Sequence, residues 1–402
     1  MHRGLWNENL SFSDNQKILS FQSIICSTSS YWSPGGDKVF SPFSDEKTVR
    51  KYPLTSNFLL HFRPKRIPKD ALRFTLTWGL GGMAALMIVQ QLFSGILLGF
   101  FYEPLPVQAY ESVQHIQNKV FMGQLLRNLH HWTGHALVIV VFLHMLRIFV
   151  STAFYPPRHW NWLMGLGLGL LVLIANFSGY LLPWDQLSYW AVTIAISMLG
   201  YIPILGTSLQ EIVWGGGELG AATLQLFYSI HTTLIPLALV CFMVYHFWLV
   251  RKAGGVLLIR TEKEKTADRT KREYVPFMPE LLVRETAFAA IVSCALLLFS
   301  MLVNAPLGNM ANPALTPASV KAPWYFLGAQ ELLLHIPAVF AVFVIPLMLI
   351  IFLGFIPFVT HKNGEPSPLI KFLFYGTIAL LVGLTIIGVW FRGPGMQLVW
   401  PW

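Results

Sequence analysis

The chain has 402 residues, of which 54% are hydrophobic and only 12% charged, with a mean hydropathy of +0.56; a soluble chain carries roughly 25% charged residues, so an ordinary soluble enzyme is excluded. Its three cysteines, Cys26, Cys241 and Cys294, lie far apart in no CxxC or CxxCH pattern, which argues against a disulfide framework, a zinc ribbon and covalently attached haem. The net charge of +9 would suggest a nucleic-acid partner in a soluble chain, but in an apolar one its sign first reports membrane topology.

Residues 1–60 read as a polar cytoplasmic extension, without the short charged region and small-residue cleavage site of a secretory signal. Apolar runs of about 20 residues, enough to cross a hydrocarbon layer of about 30 Å, are expected near 75–101, 129–150, 162–182, 229–250, 285–304, 336–359 and 369–391. The predicted fold class is therefore an all-α integral membrane protein, a four-helix bundle followed by three further transmembrane helices. Cations gather before the first span (Arg63, Lys65, Arg66, Lys69, Arg73) and after the fourth (Arg251, Lys252, Arg260, Lys263, Lys265, Arg269, Lys271, Arg272), two segments that must face the same side. Between Leu182 and Ser229 there is no Lys or Arg. The positive-inside rule then places the N-terminus in the cytoplasm and the C-terminus outside. The charge marks orientation in a multi-pass cytoplasmic (inner) membrane protein, and no nucleic acid is expected as a partner.

Ionisable or metal-binding side chains inside spans are functional candidates by default. The second span holds His130, His131, His135 and His144, and the fourth His231 and His246. At about 100° per residue, His130 and His144, 14 positions apart, share a face to within about 40°. His131 and His135 miss the His144 face by about 140° and 180°. His231 and His246, 15 apart, align within about 60°. The second and fourth spans run parallel, so His130 is level with His231 near the outer surface and His144 with His246 near the inner one. Two bis-histidine haems stacked across the bilayer fit this pattern, neutral imidazoles supplying axial ligands and porphyrin the apolar filling. The alternative is interhelical hydrogen bonding or a proton path. Gly81 and Gly95 in the first span, and Gly165 and Gly179 in the third, are also 14 apart, giving each helix a side-chain-free spot at both depths; ordinary small-residue packing would leave the same trace. Arg127 and Arg147, each three residues from a histidine of the ligand pair, are placed to neutralise propionates or to anchor at the interface.

The segments LRNLHHW and FLHMLR, GYLLPWDQLSYWAV, FYSIHTTLIPLALVCFMVYHFWLVRKAGG and APWYFLGAQELL together resemble the cytochrome b subunit of cytochrome bc-type quinol oxidoreductases. The resemblance runs over about residues 65–391 and is closest to cytochrome b6 plus subunit IV in one chain. It implies a dihaem domain over 61–255, a cytoplasmic linker over 256–284 and a subunit IV-like domain over 285–402. It implies a low-potential haem b on His130 and His231 and a high-potential one on His144 and His246. Both would be non-covalent, because Gly79 aligns with the cysteine that carries an extra covalent haem in the b6 type. It further implies quinol oxidation in an outer pocket between Tyr180, Pro183, Trp184 and Asp185 and the segment Ala322, Pro323, Trp324 and Tyr325. Electrons would divide between a Rieske iron–sulfur protein, which serves a cytochrome c-type subunit or acceptor, and a quinone near the cytoplasmic face. Protons would be translocated, within a dimeric complex embedded in lipid.

In the second outer segment the family's glutamate is replaced by Pro323, which cannot carry a proton. Glu331, eight residues on, is the expected substitute, with Tyr325 and Asp185 behind it, although Glu331 could equally anchor the start of span six. For an inner quinone site the cations Arg251 and Lys252 are expected, although both also satisfy the positive-inside rule; His61 and His159, near the same face, suit proton uptake or plain solvation. A dihaem anchor of a dehydrogenase would need the histidines but not the outer segments. A seven-span transporter with a histidine relay would be expected to carry an inverted repeat, and the sequence has none.

Overall fold

The computed structural model describes residues 66–74, 77–253, 255, 273–276, 280–359 and 366–400. The N-terminal extension with Cys26, His61, Arg63 and Lys65, and the cations from Arg260 to Arg272, lie outside them. In chain order the helices are α1 Leu80–Gly99, α2 Pro106–Asn118, α3 Gly123–Val150, α4 His159–Leu181, α5 Gln186–Leu199, α6 Gly206–Trp214, α7 Ala221–Lys252, α8 Glu280–Leu302, α9 Trp324–Leu333, α10 Phe340–Phe358 and α11 Pro368–Trp390. Seven of them, α1, α3, α4, α7, α8, α10 and α11, are long and apolar enough to cross a membrane, as the hydropathy requires. Their outward faces stay apolar: Phe93, Ile96, Ile291, Leu298 and Met301 are exposed, the arrangement of a surface solvated by lipid.

Among the described residues the only sheet is a two-stranded antiparallel ribbon of β1, Arg66–Pro68, and β2, Tyr274–Pro276. The ribbon joins the segment before α1 to the segment before α8, so these two flanks lie on one side of the molecule. Beside it Lys69 Nζ meets Glu273 Oε2 at 2.9 Å, an exposed pair that adds little stability.

The short helices α2, α5 and α6 sit in connections that read as plain loops in the sequence, yet each carries a local signal. Pro106 occupies the first turn of α2, where its fixed φ suits the helix and its missing N–H costs nothing. Asp185 caps α5, and Gly215, left-handed at φ +66°, ends α6.

Helix α1 packs on α3, and α4 on α7. Between them lies a buried apolar layer that includes Ala84, Ile88, Leu137, Val140, Val172 and Ile235. In sequence each of these falls between the two histidine or glycine positions of its own helix, so the layer occupies the middle of the bundle. Asn128, 2% exposed, ties α3 to the end of α8: its Nδ2 donates to the Ser300 carbonyl and its Oδ1 accepts from Ala305 N, both at 2.9 Å. Trp132 Nε1 donates to the Val303 carbonyl at 2.7 Å. Helix α9 lies along α11, where glycine lets the two backbones approach: a methyl group on Gly388 would meet Leu327 Cβ at 3.2 Å.

Two spans contain a π-turn, Ile230–Leu234 in α7 and Phe340–Val344 in α10. Each precedes a proline by one residue, Pro236 and Pro346. Proline removes an N–H and its ring crowds the carbonyl four residues earlier; the wider turn, closed by Ile235 N on Ile230 O and Ile345 N on Phe340 O, absorbs both effects.

Candidate functional site

His130 on α3 and His231 on α7 face each other with ring centres 6.2 Å apart. His144 and His246 line one cavity nearer the other end of the bundle. Each of the four stands against one of the spaced glycines. A methyl group built on Gly95 would lie 3.2 Å from His130 Cε1, on Gly81 3.2 Å from His144 Cε1, on Gly165 3.4 Å from His246 Cε1, and on Gly179 2.6 Å from His231 Cε1. The 15-residue separation in α7 also acquires a cause. His231 lies inside the π-turn, which holds about one residue more than an α-turn, so 15 positions there turn the helix by roughly what 14 do in α3.

The hydrogen bonds fix the tautomers of the first pair. Ser94 Oγ gives its single hydrogen to the Gln90 carbonyl at 2.7 Å and therefore accepts from His130 Nδ1 at 2.9 Å. His231 Nδ1 lies 3.1 Å from the Ala175 carbonyl, which can only accept, so it too carries the proton. Both rings are left with a lone pair on Nε2, the state in which imidazole binds a metal. His246 is turned toward the Asn161 backbone, but its Nδ1, like that of His144, is buried with no hydrogen-bond partner among the described residues.

Among the described residues no three metal-ligating side chains cluster, so a bare ion would lack most of its ligands at either level. Haem supplies its own equatorial nitrogens and asks the protein for axial ligands only. Imidazoles on opposite sides of one metal, with bonds of about 2 Å, have ring centres roughly 6 Å apart, which the first pair matches. Around the second pair the cavity measures about 1300 Å³ and is lined by Gly81, His144, Arg147, Arg158, Gly165 and His246 among mostly apolar groups. The residues present fit haem at both levels.

At the end of the bundle nearer His130 and His231, the segment Trp184–Gln186 clamps the loop that leads to α9. Asp185 Oδ1 accepts from Ser188 N and Oδ2 from Gly308 N, each at 2.9 Å. The Trp184 carbonyl accepts from Ala311 N at 3.1 Å, and the Gln186 amide bonds Asn312 and Leu315. Asp185, expected as a reserve proton acceptor, thus has both oxygens committed to backbone N–H groups. Tyr180 and Tyr325 are brought together: burial first, and the neighbouring Tyr180 second, push the Tyr325 hydroxyl well above the ordinary phenol range. Phe177 and Phe326 meet beside them with ring centres 6.1 Å apart.

Glu331 is paired more completely, as in the anchoring alternative. It is 1% exposed, and its carboxylate is taken by Arg392, Nε to Oε2 at 2.9 Å with Nη2 on Oε1, and by His335 Nε2 at 2.9 Å. Arg392 holds the Glu331 carboxyl below the usual carboxylate range. A carboxylate so paired is a poor proton acceptor and a good clip between α9 and the segment after α11. Arg127, expected beside a propionate, directs its guanidinium to the Ala305 carbonyl at 2.8 Å, the Pro306 carbonyl and Gln117 Oε1 at 3.2 Å, bracing the outer loop.

Arg147 lines the cavity around His144 and His246, its guanidinium carbon 5.9 Å from the centre of the Trp78 ring. Arg251 and Lys252, expected at an inner quinone site, and His159, expected for proton uptake, are absent from the cavity lining; Lys252 lies over Trp248 and His159 against Phe358. Two cavity residues escaped the sequence reading, Arg158 and Glu285. Arg158 is one more cation of an inner loop, with nothing in the pattern to single it out. Glu285 was detectable as an acid inside an apolar span. At Gly79, φ is +64° and a Cβ would meet Phe288 Cε1 at 2.8 Å, so no side chain fits there without displacing that ring.

The chain resembles known proteins over most of its length. Residues 68–254 match the family Cytochrome b/b6/petB, and residues 310–398 the family Cytochrome b(C-terminal)/b6/petD. Cytochrome b6 of Heliomicrobium gestii is 41% identical over 175 residues, 44% of this chain and 82% of that protein. Cytochrome b/c1 of Bradyrhizobium diazoefficiens is 30% identical over 322 residues, 77% of this chain and 46% of that longer relative. Among solved structures, a chain of a hyperthermophilic respiratory complex III superposes with a TM-score of 0.69 at 26% identity, covering 85% of this chain and 89% of that one.

Proposed function

This chain belongs to the cytochrome b/b6 family, and on that premise we propose that it is the membrane subunit of a respiratory or photosynthetic quinol:cytochrome c-type oxidoreductase, holding two non-covalent b haems and an outer quinol site. The observation that carries this reading is the pair of histidine levels, each imidazole backed by a glycine, with Nε2 left to ligate at the outer level. His130 and His231 would hold one haem and His144 and His246 the other. Gly81, Gly95, Gly165 and Gly179 keep side chains out of the space a flat macrocycle needs. When bound, the haems supply one-electron transfer between an outer quinol and a quinone near the inner face.

The chain's own residues place, insulate and orient. The apolar layer around Leu137 and Val172 separates the two levels and keeps water out between them. Tyr180 and Tyr325 wall the outer pocket, while Asp185, Gln186 and Arg127 hold the loop that positions Tyr325. Arg147 and Arg158 bring positive charge to the inner cavity, suited to propionates or a quinone oxygen. The basic flanks put the N-terminus in the cytoplasm of a cell whose inner membrane houses the complex, so quinol protons leave outside and quinone protons enter from inside. One electron of each quinol would pass to a Rieske-type protein and on to a cytochrome c-type acceptor, and the other to the haem held by His130 and His231. The names of the b/c1 relative and the complex III neighbour support such an assembly, and we read it as dimeric.

Purified membranes test this by pyridine haemochrome and anaerobic redox titration: the expected result is two b haems per chain with separate potentials and no c haem on this chain. Absence of b-haem bands would overturn it.

A further inference from the structure

One histidine of α3 is set in the tautomer opposite to that of the proposed ligands. Trp324 Nε1 donates to His135 Nδ1 at 2.7 Å. An indole N–H can only donate, so Nδ1 holds the lone pair and the proton of neutral His135 sits on Nε2. His130 and His231 have the reverse arrangement. The Nε2–H of His135 makes no hydrogen bond to a described residue and is not sealed in the core. It is therefore open to an acceptor from outside the chain.

The surroundings indicate what that acceptor is. The His135 ring is partly buried, 5.9 Å from the ring of Tyr325 and 4.5 Å from that of His131. Tyr325 in turn lies beside Tyr180. These side chains would wall the outer pocket proposed above, where Pro323 offers a bound headgroup neither a carboxylate nor a backbone N–H; Trp324 and Tyr325 also line the cavity that reaches His144 and His246. We propose that His135, locked by Trp324 as an Nε2–H donor, hydrogen-bonds an oxygen of the quinone ring in the outer pocket. The assignment rests on the outer quinol site proposed above. Quinol and quinone oxygens both accept hydrogen bonds, so the contact is made before and after oxidation; it contributes uniform binding, which appears in KM rather than in kcat.

The whole purified complex tests this with short-chain benzoquinol and naphthoquinol analogues and three variants. His135→Leu removes the donor, His135→Gln keeps an N–H at similar reach, and Trp324→Phe frees the tautomer. The expected result is a KM raised about threefold to tenfold in His135→Leu with kcat close to wild type. His135→Gln should fall within about twofold of wild type, and Trp324→Phe between the two, with b-haem spectra and midpoint potentials unchanged throughout. A wild-type KM in His135→Leu would overturn the proposal, as would equal damage from Leu and Gln, which would mark a packing role. A wild-type KM in Trp324→Phe would overturn the tautomer lock. If the wild-type complex oxidises neither quinol although dithionite reduces its haems, the outer-site reading itself fails and this assignment with it.

Discussion

Replacing Gly179 with alanine would put a methyl carbon 2.6 Å from His231 Cε1 and 3.2 Å from its Nε2, roughly 1 Å inside the 3.5–4.0 Å optimum for carbon contacts. Neither partner can move freely: Cβ is fixed by the backbone of α4, and the imidazole is tied through Nδ1 to Ala175 and Ser178. Overpacking of this kind costs about 1–3 kcal/mol, or about five- to 150-fold in affinity for whatever the imidazole ligates. At Gly165 the same methyl group would sit 3.4 Å from His246 Cε1, and at Gly81 and Gly95 3.2 Å from His144 and His130. Damage should therefore follow the order Gly179, then Gly81 and Gly95, then Gly165, the last costing well under about 1 kcal/mol. Alanine favours helix over glycine by about 1 kcal/mol, so a weakened helix cannot account for such a series. The assay is haem per chain by pyridine haemochrome, joined to redox titration. Gly179→Ala is expected to lose or displace the component assigned to His130 and His231 while the other keeps its potential, and Gly165→Ala to resemble wild type. Greater damage from Gly165→Ala, or loss of the same component in all four variants, would refute the histidine–glycine geometry.

Glu331→Gln leaves Arg392 without its charge partner and should destabilise the protein by about 3 kcal/mol, read as a fall in Tm, while quinol turnover per haem persists; lost turnover with an unchanged Tm would restore Glu331 as a proton acceptor. Because Arg392 lowers the Glu331 pKa, the pair's stabilisation is complete above the ordinary glutamate value of about 4.3 and fades as pH falls through the lowered one. Wild-type Tm should accordingly drop on strong acidification more steeply than that of Glu331→Gln, and parallel curves would contradict the pairing. Asp185→Ala removes the α5 cap, about 1 kcal/mol, together with the tether to Gly308. Limited proteolysis is expected to cut the 308–315 loop faster in this variant, and an unchanged rate would dismiss the clamp.

The spans were legible because the hydrocarbon layer fixes their length, and the shared histidine depths because helical rotation converts 14 and 15 positions into one face. The π-turn was not read, although Pro236, five residues past His231, was the signal for it. The ion pair of Glu331 was hidden for a different reason: its partner Arg392 is 61 residues away, and no local pattern announces that pairing. His135 was set aside for being off the ligand face, and only its contact with Trp324, 189 residues distant, gives it a chemistry. Arg127 showed the converse, since its nearness to His130 in sequence suggested a propionate while the folded loop supplies carbonyls.

The division of quinol electrons at the outer pocket is tested most directly by adding an oxidant of the extrinsic acceptor to the intact complex in the presence of excess quinol, and following b-haem absorbance through the first turnover. If one electron must leave outward before the other can move inward, the oxidant makes the b haem more reduced, and that is the expected result. A b haem that becomes oxidised instead, as in a protein that merely conducts electrons through the membrane, would contradict the account.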